Sequence, residues 1–401
     1  MAGVVIIGAG HAAGQAAASL RQAKYEGDIT IIGDEAHIPY QRPPLSKAYL
    51  KGDQGADKVY LRAESFYTDR DIAMRLNTSA TGIDTQSKTV ALSTGETLDY
   101  DHLLISTGSR PRKLGIEGSD LPGIHYLRTM DDVDGLRDGM QPDANLVIVG
   151  GGYIGLEVAA VGRERGLNVR VLEMEERILQ RVTTPEMSAY YHQLHEGRGV
   201  KIHTSTGVTG FAGDGKVEEV ICGAQRFPAD IVIVGIGIIP NTELAEAAGI
   251  HCDNGIVVDD HCRTSDPHVY AAGDCTNHPN PLLDRRLRLE SVPNAMDQAR
   301  VSTANMLGDD KTYAAIPWFW SDQYELKLQM VGFSADGDTQ VLRGDMASNA
   351  FAVFYLKDGK VVAADAVNSP KEFMLCKQLV GKNADPEVLA DPEADLKALL
   401  A

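Results

Sequence analysis

The chain has 401 residues, of which 43% are hydrophobic, and it carries a formal net charge of −18. This acidic balance argues against a nucleic-acid-binding protein, which usually presents a basic face. The longest apolar runs, such as residues 231–239, are much shorter than the ~20 residues that span a bilayer, so we expect a cytoplasmic protein of roughly two to three domains with no membrane or nucleic-acid partner.

The first elements of the chain predict a dinucleotide-binding unit. Residues 4–7 form an apolar run typical of a buried strand, and the alanine-rich residues 12–21 favour a helix. Between them, Gly8 allows a tight turn and Gly10 removes the side chain that would keep the backbone from a pyrophosphate. The helix N-terminus then offers free N–H groups to the anion.

A second unit of the same kind begins at residue 145. The apolar run 145–149 leads into Gly150 and Gly152, and Gly155 lies in the helix-like stretch that follows. These glycines play the same parts as those of the first motif. One chain therefore holds two dinucleotides, and we expect electron transfer between a flavin in one site and a nicotinamide in the other.

Acidic residues close the second predicted strand of each unit. Asp34 and Glu35 follow the strand at 28–33, where a carboxylate can accept hydrogen bonds from ribose hydroxyl groups. Glu173 ends the corresponding strand of the second unit, and there a 2′-phosphate would meet a negative charge. We therefore predict NADH rather than NADPH, although Arg170 and Arg177 are near enough in sequence to weaken the preference.

The rest of the chain indicates an FAD-binding domain interrupted by a second nucleotide domain. Residues 269–274 form a strand whose terminal Asp274 would meet a ligand at the carboxyl edge of a parallel sheet. Beyond residue 310 the pattern changes to alternating strands, including 350–356 and 360–367. We predict an α/β protein divided into a split FAD-binding domain (1–112 and 239–314), an NAD-binding domain (113–238) and a C-terminal α+β domain (315–401).

Several of these stretches together resemble one enzyme family. They are Pro43–Lys47, Gly150–Glu157, Ala272–Asp274 and Trp318–Tyr324. The chain is similar over essentially its whole length to the FAD-dependent NADH:ferredoxin reductases, which serve Rieske-type aromatic dioxygenases and bacterial haem-thiolate monooxygenases. The resemblance implies a glutathione-reductase-like fold, with two Rossmann-like dinucleotide-binding domains and a C-terminal domain against the flavin.

The resemblance also implies roles for particular residues. The residues at positions of FAD contacts are Ala12, Asp34, Arg42, Lys47, Ala80, Arg128, Asp274 and Val292. Those on the nicotinamide-nucleotide side are Gly152, Ile154, Glu157 and Glu173. We expect the ammonium group of Lys47 near flavin N5, paired with Glu157, where it favours negative charge arriving on the ring. Trp320, which shares one side of an extended segment with Trp318, is our candidate to line the ring face.

The distribution of cysteines predicts how electrons leave. The five cysteines have no CxxC spacing, which disfavours a disulfide framework and a zinc site, and none precedes Cys222. Disulfide reductases of this fold carry a CxxxxC pair beside the flavin, and related oxidases and peroxidases a single cysteine. Without a thiol, electrons must pass from the flavin to an external acceptor. We predict no metal ligand and a [2Fe-2S] ferredoxin, reduced one electron at a time, as that acceptor.

Other functions remain open at this stage. A rubredoxin reductase or a monodehydroascorbate reductase would share nearly every motif, and so would a redox-sensing protein of the apoptosis-inducing-factor type that holds FAD and NADH. Because ferredoxins are commonly acidic, docking requires a local basic patch, for which the candidates are Arg285, Arg286, Arg288, Arg300 and Lys327. The sequence leaves open whether the protein is a monomer or a homodimer.

Overall fold

The computed structural model describes residues 3–400. These residues divide into two compact units, each assembled from separated segments of the chain. The first unit comprises residues 3–41, 55–110 and 238–317, and the second comprises residues 42–54, 111–237 and 318–400.

The described residues form 25 β-strands and 11 α-helices. The strands are β1 (Gly3–Ile7), β2 (Ile29–Ile32), β3 (Ile72–Arg75), β4 (Ala80–Asp84), β5 (Thr89–Leu92), β6 (Thr97–Ile105), β7 (Ser109–Pro111), β8 (Ile124–His125), β9 (Asn145–Val149), β10 (Asn168–Leu172), β11 (Lys201–His203), β12 (Gly210–Ala212), β13 (Glu219–Cys222), β14 (Gln225–Pro228), β15 (Ile231–Val234), β16 (Ile238–Pro240), β17 (Ile256–Val257), β18 (Val269–Ala271), β19 (Thr276–Asn280), β20 (Arg285–Leu287), β21 (Trp318–Gln323), β22 (Leu326–Gly332), β23 (Thr339–Asp345), β24 (Ala350–Lys357) and β25 (Lys360–Val367). The helices are α1 (His11–Gln22), α2 (Ala48–Lys51), α3 (Ala56–Val59), α4 (Glu64–Thr68), α5 (Met130–Arg137), α6 (Tyr153–Glu164), α7 (Pro185–Gly197), α8 (Glu243–Ala247), α9 (Val292–Met306), α10 (Pro370–Leu379) and α11 (Pro386–Ala390).

The first unit is built on a sheet with the order β3-β2-β1-β6-β5-β4, in which β18 also pairs with β6. Strands β3, β2, β1, β6 and β18 are parallel, whereas β4 and β5 extend the sheet in antiparallel fashion. All five residues of β1 are buried, as expected for a central parallel strand that is covered on both faces. The buried alanines of α1 let this helix pack closely on Val4 and Ile6, and α9 packs beside it.

The second unit contains a second parallel sheet, with the order β11-β10-β9-β15-β8. Its central strands β9 and β15 are apolar and almost wholly buried. The antiparallel strands β12, β13 and β14 cover one face, where Phe211 and Phe227 pack against Val147 and Val232. Both sheets thus have the strand–turn–helix arrangement of nucleotide-binding folds.

The second unit also includes a five-stranded antiparallel sheet with the order β21-β22-β25-β24-β23. Asp358 and Gly359 both have positive φ angles, 50° and 75°, and form the turn between β24 and β25. Helix α10 packs on the sheet through Phe373 and Cys376, and α6 contacts β21. The last contact brings the second glycine-rich helix against the C-terminal strands.

The predicted fold class is confirmed: two parallel α/β sheets, each with a glycine-rich turn, accompany a C-terminal α+β region. The strand before each glycine motif and the helix after it lie where the sequence predicts them. Among residues 3–400, no helix has both the length and the apolar character needed to cross a bilayer.

Candidate functional site: two dinucleotide cradles and a buried ion pair

The first cradle lies at the carboxyl end of β1. Gly8 has a φ of 108°, and a Cβ atom there would come within 2.2 Å of the carbonyl oxygen of Ser106. Gly10 is the N-cap of α1, and a Cβ atom added to it would meet nothing within 4 Å. The turn therefore leaves open space in front of the N–H groups of a helix N-terminus, which fits the pyrophosphate of a dinucleotide.

Two further predicted FAD contacts of the first unit lie together at this edge. A Cβ atom on Gly273 would lie 3.9 Å from the Cβ atom of Ala12, so the end of β18 adjoins the start of α1. Next along the chain is Asp274, whose Oδ2 accepts a hydrogen bond of 2.9 Å from Ser109 Oγ. The carboxylate is thus held at the carboxyl edge of the parallel sheet, where ligands of such folds bind.

Helix α9 begins close to the same point. A Cβ atom on Gly273 would also lie 3.5 Å from that of Ala295 in the first turn of α9. Ser291 is the N-cap, and its hydroxyl accepts a hydrogen bond from the N–H group of Asn294. Val292 is the first residue of the helix, and its contact with FAD stays a prediction.

The acidic residues after β2 differ in their surroundings. Asp34 is exposed, whereas Glu35 is half-buried and its Oε2 accepts a hydrogen bond of 2.5 Å from the hydroxyl of Tyr40. Ala80 is half-buried at the start of β4, where it pairs with Leu92 of β5. Their predicted contacts with the adenosine part of FAD are not tested by this geometry and remain predictions.

The second cradle repeats the geometry of the first. Gly150 has a φ of 107°, and a Cβ atom there would lie 2.4 Å from the carbonyl oxygen of Gly235. A Cβ atom on Gly155 would lie 2.3 Å from the carbonyl oxygen of Gly150, so this glycine lets α6 approach the turn. Gly152 is the N-cap of α6 and faces open space, while the side chain of Ile154 is 49% exposed in the first turn. This cradle also fits a pyrophosphate.

Glu173 lies beside the second glycine-rich turn. Its Oε2 accepts a hydrogen bond of 2.6 Å from the N–H group of Gly151, and its Oε1 accepts one of 2.8 Å from that of Glu175. The guanidinium group of Arg177 donates to two backbone carbonyl groups of the loop that follows. The carboxylate is therefore fixed next to the cradle, and Arg177 is engaged elsewhere.

A buried ion pair joins α6 to residues 46 and 47. Glu157 is 4% exposed, and its Oε2 lies 2.7 Å from Lys47 Nζ. The hydroxyl of Ser46 donates to the same oxygen, and that of Ser321 donates to Oε1 at 2.7 Å. A buried carboxylate is stable only when it is paired and hydrogen-bonded, and this one has an ammonium and two hydroxyl donors. The predicted pairing of Lys47 with Glu157 is present.

Two arginines predicted to contact FAD are also found in the second unit. Nη1 of Arg42 donates a hydrogen bond of 2.6 Å to the backbone carbonyl group of Arg128. The N–H group of Arg128 in turn donates to Asp132, which belongs to the capping box of α5. The structure brings Arg42 and Arg128 together, and their contacts with FAD, like that of Lys47, stay predictions.

The two tryptophans lie on the same side of β21, as their spacing predicts. Their ring centroids are 5.8 Å apart. Trp318 also packs at 5.8 Å against Phe373, and Lys377 Nζ lies 4.3 Å from its ring centroid. Trp318 thus joins β21 to α10, and the role of Trp320 in catalysis stays a prediction.

Sequence reasoning missed four polar residues around Glu157. They are Ser46, Ser321, Gln323 and His195, and the last three form a continuous buried hydrogen-bonded series. Ser46 and Ser321 belong to motifs that carry the family resemblance, which was the one available signal. His195 is 128 positions away from Gln323 in sequence, and no local pattern links them.

The five cysteines are free thiols. Burial raises the pKa of every one of them, to about 11 for Cys252 and Cys275 and to about 12 for Cys376. A thiol that exchanges electrons needs a lowered pKa and an accessible thiolate. These side chains are therefore held in the unreactive thiol form.

Comparison with known proteins agrees with this arrangement. The family model "Pyridine nucleotide-disulphide oxidoreductase" matches residues 2–299, and "Reductase C-terminal" matches residues 318–400. Putidaredoxin reductase from Pseudomonas putida is 44% identical, and the alignment covers 99% of this chain and 96% of that protein. The ferredoxin–NAD(+) reductase component of the anthranilate 1,2-dioxygenase system of Burkholderia cepacia is also 44% identical, with coverage of 99% and 98%.

A solved structure is similarly close. A chain in the crystal structure of the covalent putidaredoxin reductase–putidaredoxin complex superposes with a TM-score of 0.96 at 44% identity, covering 100% of this chain and 98% of that one. Fold and cradles together define a pyridine-nucleotide-linked flavoprotein. The chain belongs to the putidaredoxin reductase-like ferredoxin reductases within the pyridine nucleotide-disulphide oxidoreductase family. The predictions of the family, of an oxidoreductase and of FAD and NAD(H) as cofactors are confirmed.

Proposed function

We propose that this enzyme oxidises NADH and delivers the electrons one at a time to a [2Fe-2S] ferredoxin that serves an oxygenase. The observation that carries the proposal is the state of the cysteines: all five are free, and their pKa values are raised by burial. A thiol relay is therefore absent from the described chain, so electrons leave directly to an external acceptor. FAD, when bound, supplies the chemistry, because it accepts two electrons as a hydride and releases them singly.

The two cradles divide the cofactors between them. The turn at Gly8 and Gly10 binds the pyrophosphate of FAD, and the turn at Gly150 and Gly152 binds that of NADH. Asp274 supplies a further polar contact to FAD. The corresponding domain division is an FAD-binding domain (1–112 and 239–314), an NAD-binding domain (113–238) and a C-terminal domain (315–401).

The Lys47–Glu157 pair is the charged element of the reaction. Lys47 Nζ is fixed between Glu157 Oε2 at 2.7 Å and the backbone carbonyl group of Pro43 at 3.2 Å. A fixed ammonium in a water-poor setting favours negative charge that develops during hydride transfer, and it needs no reorganisation when the charge appears. Glu157 holds the ammonium in place, and positioning of this kind accounts for much of an enzyme's rate.

NADH is the preferred reductant. The Glu173 carboxylate is fixed against the second cradle by the N–H groups of Gly151 and Glu175, which leaves it next to the expected position of the adenosine ribose. There it accepts from a 2′-hydroxyl group but repels a 2′-phosphate. Arg177, the nearby cation that could bind that phosphate, donates to backbone carbonyl groups instead.

Several of the basic residues in the predicted ferredoxin-docking patch already have partners within the protein. Arg288 pairs with Glu290, and Arg300 pairs with Asp297 at 2.5 Å. Arg286 donates to Asn277 and to the carbonyl group of Val258. Two of these positive charges are therefore balanced by neighbouring carboxylates, and the exposed Arg285 is the residue of this segment whose charge reversal tests the docking of an acidic partner.

The test measures cytochrome c reduction by NADH and the FAD-loaded enzyme, with and without a purified [2Fe-2S] ferredoxin. Rapid turnover that depends on the ferredoxin supports the proposal, and reversal of Arg285 to Glu should slow it and reduce its dependence on salt. Faster reduction of a rubredoxin or of monodehydroascorbate than of any ferredoxin would contradict it. Negligible turnover with a long-lived reduced flavin would indicate a redox-sensing protein instead.

A cytoplasmic location fits the chain, because five unpaired cysteines suit a reducing compartment. The enzyme acts as a monomer or a homodimer. Light scattering on the FAD-loaded protein, at the concentrations used for the turnover assay, distinguishes these two states.

A further inference from the structure

A series of buried hydrogen bonds leads away from the catalytic ion pair. Ser321 Oγ contacts Glu157 Oε1 at 2.7 Å, and Gln323 Nε2 contacts Ser321 Oγ at 3.1 Å. Gln323 Oε1 lies 2.8 Å from His195 Nε2, and His195 Nδ1 lies 3.2 Å from the hydroxyl of Tyr324. Ser321, Gln323 and His195 are at most 1% exposed. The series therefore runs from α6 through β21 to α7 without access to bulk water.

The direction of every bond in this series follows from its first member. The carboxylate of Glu157, which is paired with Lys47, can only accept, so the single hydroxyl proton of Ser321 points to it. Gln323 must then donate to Ser321 through Nε2, which turns its Oε1 to His195. His195 consequently carries its proton on Nε2 and accepts at Nδ1. All four donors therefore point toward Glu157.

The surroundings of His195 keep its imidazole ring in the neutral state that this arrangement requires. Burial, partly opposed by the hydrogen bond with Gln323, lowers the pKa of His195 to about 4, and the positive charge of Arg198 contributes to the lowering. The imidazole ring is thus neutral at physiological pH, and the Nε2–H tautomer that donates to Gln323 is the one that the series selects. A charged ring would place protons on both nitrogens and lose the hydrogen bond that Tyr324 donates.

We propose that His195, Gln323 and Ser321 are positioning residues that fix the Glu157 carboxylate, and through it the Lys47 ammonium, for hydride transfer from NADH. Aligned hydrogen bonds in a low-dielectric interior polarise and strengthen one another, and each one restricts the rotation of the next side chain. The series ends on Oε1, while Lys47 and Ser46 bind Oε2, so both carboxylate oxygens are held. This inference rests on the proposed role of the Lys47–Glu157 pair.

The kinetic test uses two substitutions of similar size at one position. His195→Leu removes both hydrogen bonds, whereas His195→Gln retains an N–H donor near the place of Nε2. The rate measured is the anaerobic reduction of the FAD-loaded enzyme by saturating NADH. We expect His195→Leu to lower this rate about three- to tenfold, with little change in the NADH concentration that gives the half-maximal rate. We expect His195→Gln to restore most of the rate. Equal rates for Leu, Gln and wild type would overturn the inference.

Controls separate positioning from general damage to the fold. Tyr191→Phe removes, from the same helix α7, a buried hydroxyl that has no hydrogen-bond partner among residues 3–400. We expect it to leave the rate unchanged, and we expect dithionite to reduce the FAD of every variant equally. If His195→Leu fails to fold, Gln323→Met interrupts the same series on β21 and should give the same loss of rate.

A second readout does not depend on activity. In 15N-histidine-labelled protein, the His195 signals, identified by their loss in His195→Gln, should report the neutral Nε2–H tautomer from pH 5.5 to 8. Ser321→Ala should shift the Nε2–H resonance although Ser321 does not touch the ring, whereas Tyr191→Phe should not. A cationic ring, the opposite tautomer, or an unchanged resonance in Ser321→Ala would refute the series.

The design also separates this inference from the proposed role of the ion pair. If Glu157→Gln leaves NADH oxidation unchanged, the proposed role of Glu157 fails whatever His195 does. If Glu157→Gln slows the reaction but His195→Leu and Gln323→Met do not, only the positioning inference fails. If both hold, His195→Leu should have little further effect in the Glu157→Gln background, because coupled residues are not additive.

Discussion

The two glycine-rich cradles have nearly the same backbone but different side chains behind it. The φ angles of Gly8 and Gly150 are 108° and 107°, and an added Cβ atom would meet a backbone carbonyl oxygen at 2.2 Å in the first and 2.4 Å in the second. Five residues after each N-cap glycine, however, α1 carries Gln15 and α6 carries Glu157. Gln15 donates a hydrogen bond of 2.9 Å to Ser19 of its own helix, whereas Glu157 pairs with a lysine and accepts hydrogen bonds from two serines.

This difference separates binding from chemistry. Phosphate binding depends on backbone N–H groups and on the absence of side chains, so the same turn can occur twice in one chain. In the proposed mechanism, reactivity depends on the buried Glu157 carboxylate of the second cradle's helix and on the donors around it, whereas the corresponding position of the first cradle's helix is the uncharged Gln15. Substitutions that affect one cradle and spare the other test this distinction.

The backbone of the turn should tolerate no side chain at its first glycine. Gly8→Ala would combine a positive φ angle with a contact of 2.2 Å to Ser106, so we expect a loss of more than about 4 kcal/mol in the free energy of unfolding. The measurement is urea denaturation together with the FAD content of the purified protein. Gly10→Ala is the matched control, because its Cβ atom meets nothing within 4 Å.

Gly10→Ala should therefore fold with wild-type stability but bind FAD about tenfold more weakly, since its methyl group enters the space left for the pyrophosphate. Gly152→Ala should do the same for NADH and leave FAD content unchanged. A Gly8→Ala variant that is as stable and as yellow as wild type would contradict the account of the turn.

The second unit also buries two titratable groups whose effects on stability oppose each other. Burial raises the pKa of Asp365 to about 6, and hydrogen bonds from Tyr355 and Thr183 partly offset this rise. Between about pH 4 and pH 6, Asp365 therefore binds more protons in the folded protein than in the unfolded chain. Its contribution to stability grows as the pH falls through 6. His195, with its pKa lowered to about 4, binds fewer protons when folded, and its contribution is lost as the pH falls from 6.5 to 4.

Removing one of these groups should reveal how the other changes the free energy of unfolding with pH. Between pH 6.5 and pH 4, the free energy of unfolding of Asp365→Asn should fall by on the order of 3 kcal/mol more than that of wild type. Over the same pH range, the free energy of unfolding of His195→Gln should fall by less than that of wild type, and the difference should be of similar size. Urea denaturation of the FAD-loaded proteins at several pH values gives the curves. Parallel curves for all three proteins would show that neither pKa is shifted in the folded state.

Replacing the buried charge of the second helix should impair chemistry more than binding. Glu157→Gln removes the ion pair with Lys47 and keeps the shape, so we expect reduction of bound FAD by saturating NADH to slow on the order of 30-fold. Stopped-flow absorbance measures the rate. Glu164→Gln changes an exposed glutamate that pairs with Lys51 at the end of the same helix and should have no effect. Equal losses in the two variants would indicate a general effect on α6.

The smallest effect concerns the acids beside the two cradles. Glu173→Ala should lower the ratio of kcat/KM for NADH to kcat/KM for NADPH about tenfold, because a 2′-phosphate no longer meets a fixed carboxylate. The ratio of kcat/KM for the two nucleotides measures it. Glu35→Gln, beside the first cradle, should leave that ratio unchanged, and a change there would contradict the assignment of the second cradle to the nicotinamide nucleotide.

Local sequence determined the repeated parts of this protein. Each cradle is encoded within about 30 consecutive residues, because a strand, a turn that needs glycine and a helix N-terminus are specified by short-range sterics and hydrogen bonds. The pairing of Lys47 with Glu157 was also predicted, although through family resemblance rather than from the pattern alone.

Tertiary structure alone decided what surrounds Glu157. Ser46, Ser321 and His195 come from three distant segments, and no local pattern predicts that they lie around Glu157. Their partners are chosen by how α6, α7 and β21 pack, and their hydrogen-bond directions are fixed by a carboxylate that can only accept. Short-range rules therefore specified the two glycine-rich turns, while long-range packing specified how one buried charge is held.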